Sequence, residues 1–504
     1  MLAWPWLDAE NQIKLDMDED ELRAYRKRRA SSTRSFVWVI LVGMALTVAL
    51  LVLSLFVHCR QQGYAVAGTG TVGTVGTVGT VGTGKGTGNE TGTGERTSTG
   101  TDRSASTDTS TSASTDTPTS TDTPPVILVS IDGFRYEYLS RGLTPNLKRL
   151  TEQGIYGPME AQFPSYTFPN HYTLVTGLYP EAHGIVANSF YDPDMKEYFS
   201  YTDQQNLRQA KWWKAEPIWN TIQRHGLKSA TMFWPGSESA IDGHRPNLYV
   251  PYDSRLSTAQ RIAQVLRWLD RPAPDRPHFI SLYLSLVDDV GHVHGPESAE
   301  LDAALAHVDA GIGALMAGLQ GRAAHVVVVS DHGMAQVRAD GHVYLDELVP
   351  GMREQLAWVD FGPVASLLPV DAASARAVHA ALKAHEPGRH YRVYWREEIP
   401  ERFHFRASRR IAPLVVVCEP GWVLDYRGGA WVPRGVHGYD PRAPDMQALF
   451  IATGPGLRQV GRARGPLRGL TNLDVYPFMM RLLHVPALPN NGTLRLVELC
   501  RRED

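Results

Sequence analysis

Three stretches of this chain are apolar at almost every successive position, and each runs into an aspartate. PVILVS (125–130) leads to Asp132 in SIDG, and FISLYLSL (279–286) leads to Asp288 and His292 in VDDVGH. HVVVVS (325–330) leads to Asp331 and His332 in SDHGM. A strand with one wet face alternates polar and apolar residues; a run without alternation needs cover on both faces. The pattern therefore predicts an α/β domain with a mostly parallel central sheet flanked by helices. Part of that cover is visible between 301 and 319, where Leu301, Leu305, Val308, Ile312 and Leu315 recur at helical spacing.

Ligands of open parallel sheets bind beyond the carboxyl ends of the strands. The three aspartates and their two histidines are thus expected to meet in one crevice. Any one of these aspartates alone reads as a helix cap or turn residue. Three strands ending alike, two of them with a histidine, read as a ligand set. Carboxylate oxygen and imidazole nitrogen without thiolate are zinc-type donors.

Further segments join this set. In FPSYTFPNHYTLVTGLYP (163–180), Pro169 suits the first turn of a helix. Thr167 then stands at a helix N-terminus, where phosphate oxygens bind readily. Alone it reads as a cap. His437 in GVHGYDP and Asn188 in HGIVANSFYDP read alone as turn residues. His171, His183, His244 and His294 are expected to make structural hydrogen bonds rather than to hold metal.

The chain ahead of 125 has a different texture. Residues 36–58, FVWVILVGMALTVALLVLSLFVH, carry no charge before His58. The run is long enough to cross a hydrocarbon core of roughly 30 Å as a helix. Arg23, Arg26, Lys27, Arg28, Arg29 and Arg34 precede it, and only Arg60 closely follows. The positive-inside rule places residues 1–35 in the cytoplasm and the rest on the periplasmic, extracellular or lumenal side. Residues 59–124 hold four VGT triplets and a Ser/Thr/Asp-rich stretch, a composition that cannot bury a core. They are expected to form a disordered tether for a domain spanning 125–504. Asn89 and Asn491 head N-x-T sequons. Three cysteines, Cys59, Cys418 and Cys500, give no disulfide framework, though a Cys418–Cys500 bridge stays open. A net charge of −3 gives no basic surface for a stable nucleic-acid complex.

SIDGF, the TFPNHY–TG–YP–HGI–N run, DVGHVHGP, VSDHGM and GVHGYDP resemble, in order and spacing, the nucleotide pyrophosphatase/phosphodiesterase family of the alkaline phosphatase superfamily. The resemblance covers residues 125–497 and implies an alkaline-phosphatase-like core. It further implies two zinc ions, one on Asp288, His292 and His437, the other on Asp132, Asp331 and His332. Thr167 would be both ligand and nucleophile, and Asn188 would donate to a phosphate oxygen. Phe168 and Tyr252 would sandwich a nucleobase, with Trp234 packed against the pocket; plain core packing is the alternative for these aromatics. The implied reaction hydrolyses phosphodiester or pyrophosphate bonds of nucleotides through a covalent threonyl intermediate, releasing nucleoside 5′-monophosphates. Pro235 to Tyr252 is a segment that lysophospholipid-cleaving relatives largely lack. A lysophospholipid or choline-phosphodiester hydrolase, a phosphonoacetate hydrolase, and a non-catalytic membrane-tethered binding module are the competing readings.

Overall fold

The computed structural model describes residues 123–427, 433–457, 465–493 and 495–498. The expected tail, membrane span and nearly all of the tether lie outside the described residues, as do Asn89, Cys59 and Cys500. Among the described residues, no helix is long and apolar enough to cross a membrane.

An eight-stranded sheet organises the molecule. Its strands are β1 (Val126–Ile131), β2 (Ile155–Glu160), β3 (Ser229–Met232), β4 (Leu248–Val250), β5 (Phe279–Leu284), β6 (His325–Val329), β7 (Ala448–Thr453) and β8 (Leu470–Thr471). Their lateral order is β8-β2-β7-β6-β1-β5-β3-β4. Only β7 runs against its neighbours, β6 and β2; the other pairings are parallel. The sheet is therefore mostly parallel, with β1 at its middle.

The unbroken apolar runs follow from two cores. Val126 and Leu128 pack on one face with Val327, Val329 and Phe450. Ile127, Val129 and Ile131 pack on the other with Val326, Val328, Ile280 and Leu282. Each such burial contributes about 1.5–3 kcal/mol, and a polar alternate on either face would forfeit it.

Five helices form or support the site: α1 (Pro145–Gln153), α2 (Thr167–Thr176), α3 (Thr258–Leu269), α4 (Leu286–His294) and α5 (Ala299–Gly318). α5 starts where Ser298 Oγ accepts from Leu301 N at 3.1 Å. It buries Leu301, Leu305, Val308, Ile312 and Leu315, the helical stripe of the sequence. Asp309 on the same helix accepts from Asn146 N (3.0 Å) and Leu147 N (2.8 Å). It thereby satisfies free N–H groups at the start of α1 from a neighbouring helix. The second expected strand stops at Leu284, and α4 begins at Leu286, so Asp288 and His292 sit on a helix rather than on a strand end.

A second, antiparallel sheet is inserted between His332 and His437. Its strands run in the order Leu356–Asp360, Val364–Pro369, Leu414–Cys418, Tyr391–Trp395. It has its own core with helix Ala372–His385, including Leu367, Val378, Leu382, Val393 and Val416. Cys418 is buried there.

Leu305→Ala should lower unfolding free energy by about 2–5 kcal/mol, because a fully buried leucine of α5 leaves a cavity against the sheet. Denaturant titration checks this; a loss below about 1 kcal/mol would mean that α5 does not seal that face.

Candidate active site and metal centre

Sheet register delivers the first two carboxylates. β1 pairs with β6 so that Ser130 faces Val329; continuing by two residues sets Asp132 beside Asp331. Asp132 N also donates to Leu284 O at 2.9 Å, which fastens the end of β1 to β5. Gly133 follows with φ +66°, and a Cβ there would lie 2.9 Å from Asp288 Oδ1. Glycine is needed for both reasons. On α4, Asp288 and His292 are four residues apart and share one face. His437 arrives from far along the chain. The short pair Gly435–Val436 bonds to Ala335–Gln336, just beyond Asp331 and His332, and His437 is the next residue.

The imidazoles are oriented by carbonyls. Nδ1 lies 2.8 Å from Gly435 O in His292, 2.9 Å from Gly333 O in His332 and 2.9 Å from Ser165 O in His437. A carbonyl only accepts, so each Nδ1 carries the proton and each Nε2 turns to the centre. His332 Nε2 lies 2.9 Å from Asp331 Oδ2 and 3.4 Å from Asp132 Oδ1. Asp288 is 3.3 Å from His292 Nε2 and 3.5 Å from His437 Nε2. Asp132, Asp331 and His332 form one compact donor group, and Asp288, His332 and His437 another. The grouping differs from the expected one in that His332 belongs to both. The reason is packing: its ring stacks on His437 with centroids 3.5 Å apart. His292 adjoins the second group, 3.2 Å from His437 Nε2.

These groups suit a cation. Asp132 Oδ1 and Asp288 Oδ1 are buried oxygens that accept no hydrogen bond. Burial, then the charges of Asp331 and Asp288, push Asp132 well above the usual carboxylate range. Burial acts on Asp331 in the same sense, but His332 and His171 outweigh it and hold Asp331 well below that range. Asp288 is mostly buried too, yet His292 foremost holds it at about 2. Burial opposes charge on His332; Asp331 wins, and its pKa rises. Burial, then His332, lowers His437 to about 3, so that ring is neutral. A proton on His332 answers part of the negative charge, and divalent cations would answer all of it.

Thr167 opens α2, and its Oγ1 lies 3.3 Å from His332 Nε2. Asn188 Oδ1 accepts from Phe168 N at 2.9 Å, which leaves its NH2 group for a ligand. His171 supports this corner: Nδ1 donates to Thr167 O (2.9 Å), and Nε2 meets Ser130 Oγ (2.8 Å). Trp234 is buried, donates from Nε1 to His171 O at 3.1 Å, and forms a wall. Phe168 is half-buried, edge-on to Tyr201 at 5.8 Å. Tyr252 remains 38% exposed, which excludes plain core packing for it. Thr167, Phe168, Asn188, Tyr252, Trp234 and the metal-type donors Asp132, Asp288, His292 and His437 line one cleft of about 890 Å³. His183 bonds Thr173 Oγ1 and Ile185 N, His294 approaches Glu300, and His244 closes a small bridge to Ile241; none joins the donor groups.

Sequence reasoning misses several residues. Tyr283 donates to Asp132 Oδ2 at 2.6 Å; its signal is a hydroxyl that, with Ser281, interrupts an otherwise apolar strand. Tyr166 donates to Val364 O at 2.9 Å and so ties the residue before Thr167 to the second sheet. Asp289 and Asp360 also line the cleft. Burial, and for Asp289 also Asp288, raises each to about 7. Nothing local in the sequence marks Asp360.

Residues 126–440 match the family model described as type I phosphodiesterase / nucleotide pyrophosphatase. Human ectonucleotide pyrophosphatase/phosphodiesterase family member 1 is 39% identical over 384 residues, covering 73% of this chain but only 41% of that protein. The Xenopus laevis bis(5′-adenosyl)-triphosphatase enpp4 is 38% identical over 377 residues, 73% of this chain and 80% of the relative. An inactive threonine-to-alanine variant of murine ectonucleotide pyrophosphatase/phosphodiesterase 5, solved with AMP, superposes with a TM-score of 0.69 at 33% identity, covering 74% of this chain and 99% of that one. Strand ends, donor groups and sequence match agree: the chain belongs to the nucleotide pyrophosphatase/phosphodiesterase family of hydrolases, within the alkaline phosphatase superfamily.

Proposed function

We propose that this chain hydrolyses phosphodiester or pyrophosphate bonds of nucleotides through a covalent intermediate on Thr167, and that two zinc ions assist it. The observation that carries the reading is the convergence of Asp132, Asp288, Asp331, His292, His332 and His437 beside the Thr167 hydroxyl. Nitrogen and oxygen donors without thiolate suit zinc. Bound there, divalent ions would neutralise the phosphate, favour the Thr167 alkoxide and stabilise the leaving oxygen.

The protein's own groups do the rest. Thr167 Oγ1 attacks phosphorus in line as the bond to the leaving oxygen breaks. The proton shed by Thr167 is matched by the one the leaving oxygen takes up. Asn188 donates its free NH2 group to a phosphate oxygen, and its Oδ1 keeps the start of α2 in place. Phe168 and Tyr252 hold the base between them, a contact that tolerates any base. Water then adds hydroxide to phosphorus and returns a proton to Thr167, which frees a nucleoside 5′-monophosphate. The AMP bound by the murine relative and the inactivity of its threonine-to-alanine form support the nucleotide reading. Residues 36–58 would anchor the domain to a membrane by one helix, with the N-terminus cytoplasmic and the cleft on the far side.

The full chain, zinc-loaded, should hydrolyse p-nitrophenyl thymidine 5′-monophosphate. Thr167→Ala should reduce kcat by about a thousandfold or more, and Asn188→Ala by about 100–1,000-fold. Absence of turnover in folded, metal-replete protein would sink the reading. Metal-stripped protein titrated with zinc should release protons on binding, and affinity should fall as pH falls. The sign follows because the raised Asp132 and His332 groups must lose protons before they can ligate. Asp331→Asn should weaken binding by at least about 10–100-fold, measured by calorimetry. Affinity that is flat with pH would contradict the ligand assignment.

A further inference from the structure

The cleft is rich in acids and aromatic rings, and among the described residues neither lysine nor arginine lines it. Two of the acids have partners at the Tyr252 side. Glu238 accepts from Tyr252 N and pairs with Arg208 at 3.2 Å; Asp253 pairs with Arg255 at 2.8 Å. Asp132 and Asp288 belong to the donor groups, and Asp289 adjoins Asp288 on α4. Asp360 lies on a different element, outside both sets. It ends a strand of the second sheet and is followed by Phe361, whose ring tilts against Tyr426 at 5.2 Å.

Both residues line the cleft together with Gly362, Pro363 and His437. Their corner is fixed to the reaction centre. Tyr166, immediately before Thr167, donates to Val364 O at 2.9 Å and accepts from Val364 N at 3.3 Å. In an in-line displacement the leaving oxygen departs opposite the attacker. If Thr167, whose Oγ1 lies 3.3 Å from His332 Nε2, attacks from that side, the leaving oxygen departs across the cleft from it. His437, Phe361 and Asp360 line the same cleft and are the groups available to meet what is attached beyond that oxygen.

We propose that Asp360 and Phe361 form a leaving-group subsite that accepts a neutral or cationic nucleoside ring and rejects a polyphosphate. The inference rests on the nucleotide reading given above. A nucleoside triphosphate cleaved at its α-phosphate expels pyrophosphate, whose outer charges call for lysine or arginine. Here they would face a carboxyl group instead, which supplies no cation and, when ionised, repels them. A nucleoside ring stacks on Phe361 and offers N–H, hydroxyl or cationic groups to Asp360.

NAD and ATP test this cleanly. Both present an AMP half and the same kind of anhydride, and they differ only beyond the leaving phosphate. The full, metal-loaded chain is assayed for kcat/KM on NAD, on ATP and on p-nitrophenyl thymidine 5′-monophosphate. The expected result is a preference for NAD over ATP of about tenfold or more. Asp360→Lys should shrink or reverse that preference by about tenfold, and Phe361→Ala should lower NAD turnover more than ATP turnover. Wild-type cleavage of ATP equal to or faster than that of NAD would overturn the subsite while the p-nitrophenyl ester still reports a working phosphodiesterase. So would an unchanged ratio in an Asp360→Lys protein that melts like wild type. If the p-nitrophenyl ester itself is not cleaved, the nucleotide reading falls and the subsite falls with it.

Discussion

Mutual repulsion among Asp132, Asp288 and Asp331 is the constraint on which the rest of the structure depends. Carboxylates this close oppose one another; burial, and then the charges of Asp331 and Asp288, push Asp132 above the usual range. Holding them together requires a rigid frame and an answering positive charge. The frame is the parallel pairing of β1 with β5 and β6, buried on both faces. The charge would be supplied by cations held among these donors. A site of this kind is costly to assemble from loops; two apolar cores of fully buried valine, leucine and isoleucine hold the strand ends fixed.

The groups around the carboxylates act through direction rather than number. Three backbone carbonyls turn three imidazoles the same way. Tyr283 fixes the far oxygen of Asp132, and Gly133 leaves room for Asp288. His171 links the backbone of Thr167 to Ser130 at the end of β1, which fastens the start of α2 to the strand that carries Asp132. The second sheet reaches the same centre through Tyr166 and Val364, which makes the insertion part of the cleft wall.

Much of the core is legible because its signals are local. A strand buried on both faces has no polar alternate, and β1, β5 and β6 show that directly. The stripe from Leu301 to Leu315 announces α5 for the same reason of period. The four-stranded insertion does not stand apart in the sequence. Its apolar runs, such as Leu414–Cys418, look like those of the main sheet, and only pairing distinguishes them. Asp360 is invisible because one aspartate at a strand end has no pattern around it. Trp234 and Tyr252 both read as pocket aromatics, yet one is a buried wall bonded to His171 O and the other stands open to solvent.

The sequence by itself determined the strand ends that carry Asp132, Asp331 and His332 and the helix that begins at Thr167. These follow from residue type and from periods of two and about 3.6 residues, which a short window contains. The tertiary structure alone decided that His332 serves both donor groups, that Tyr283 holds Asp132, and that Asp360 and Phe361 line the cleft. Those facts depend on pairings between segments tens to hundreds of residues apart. Such contacts are selected by the packing of the whole domain, and no local period encodes them.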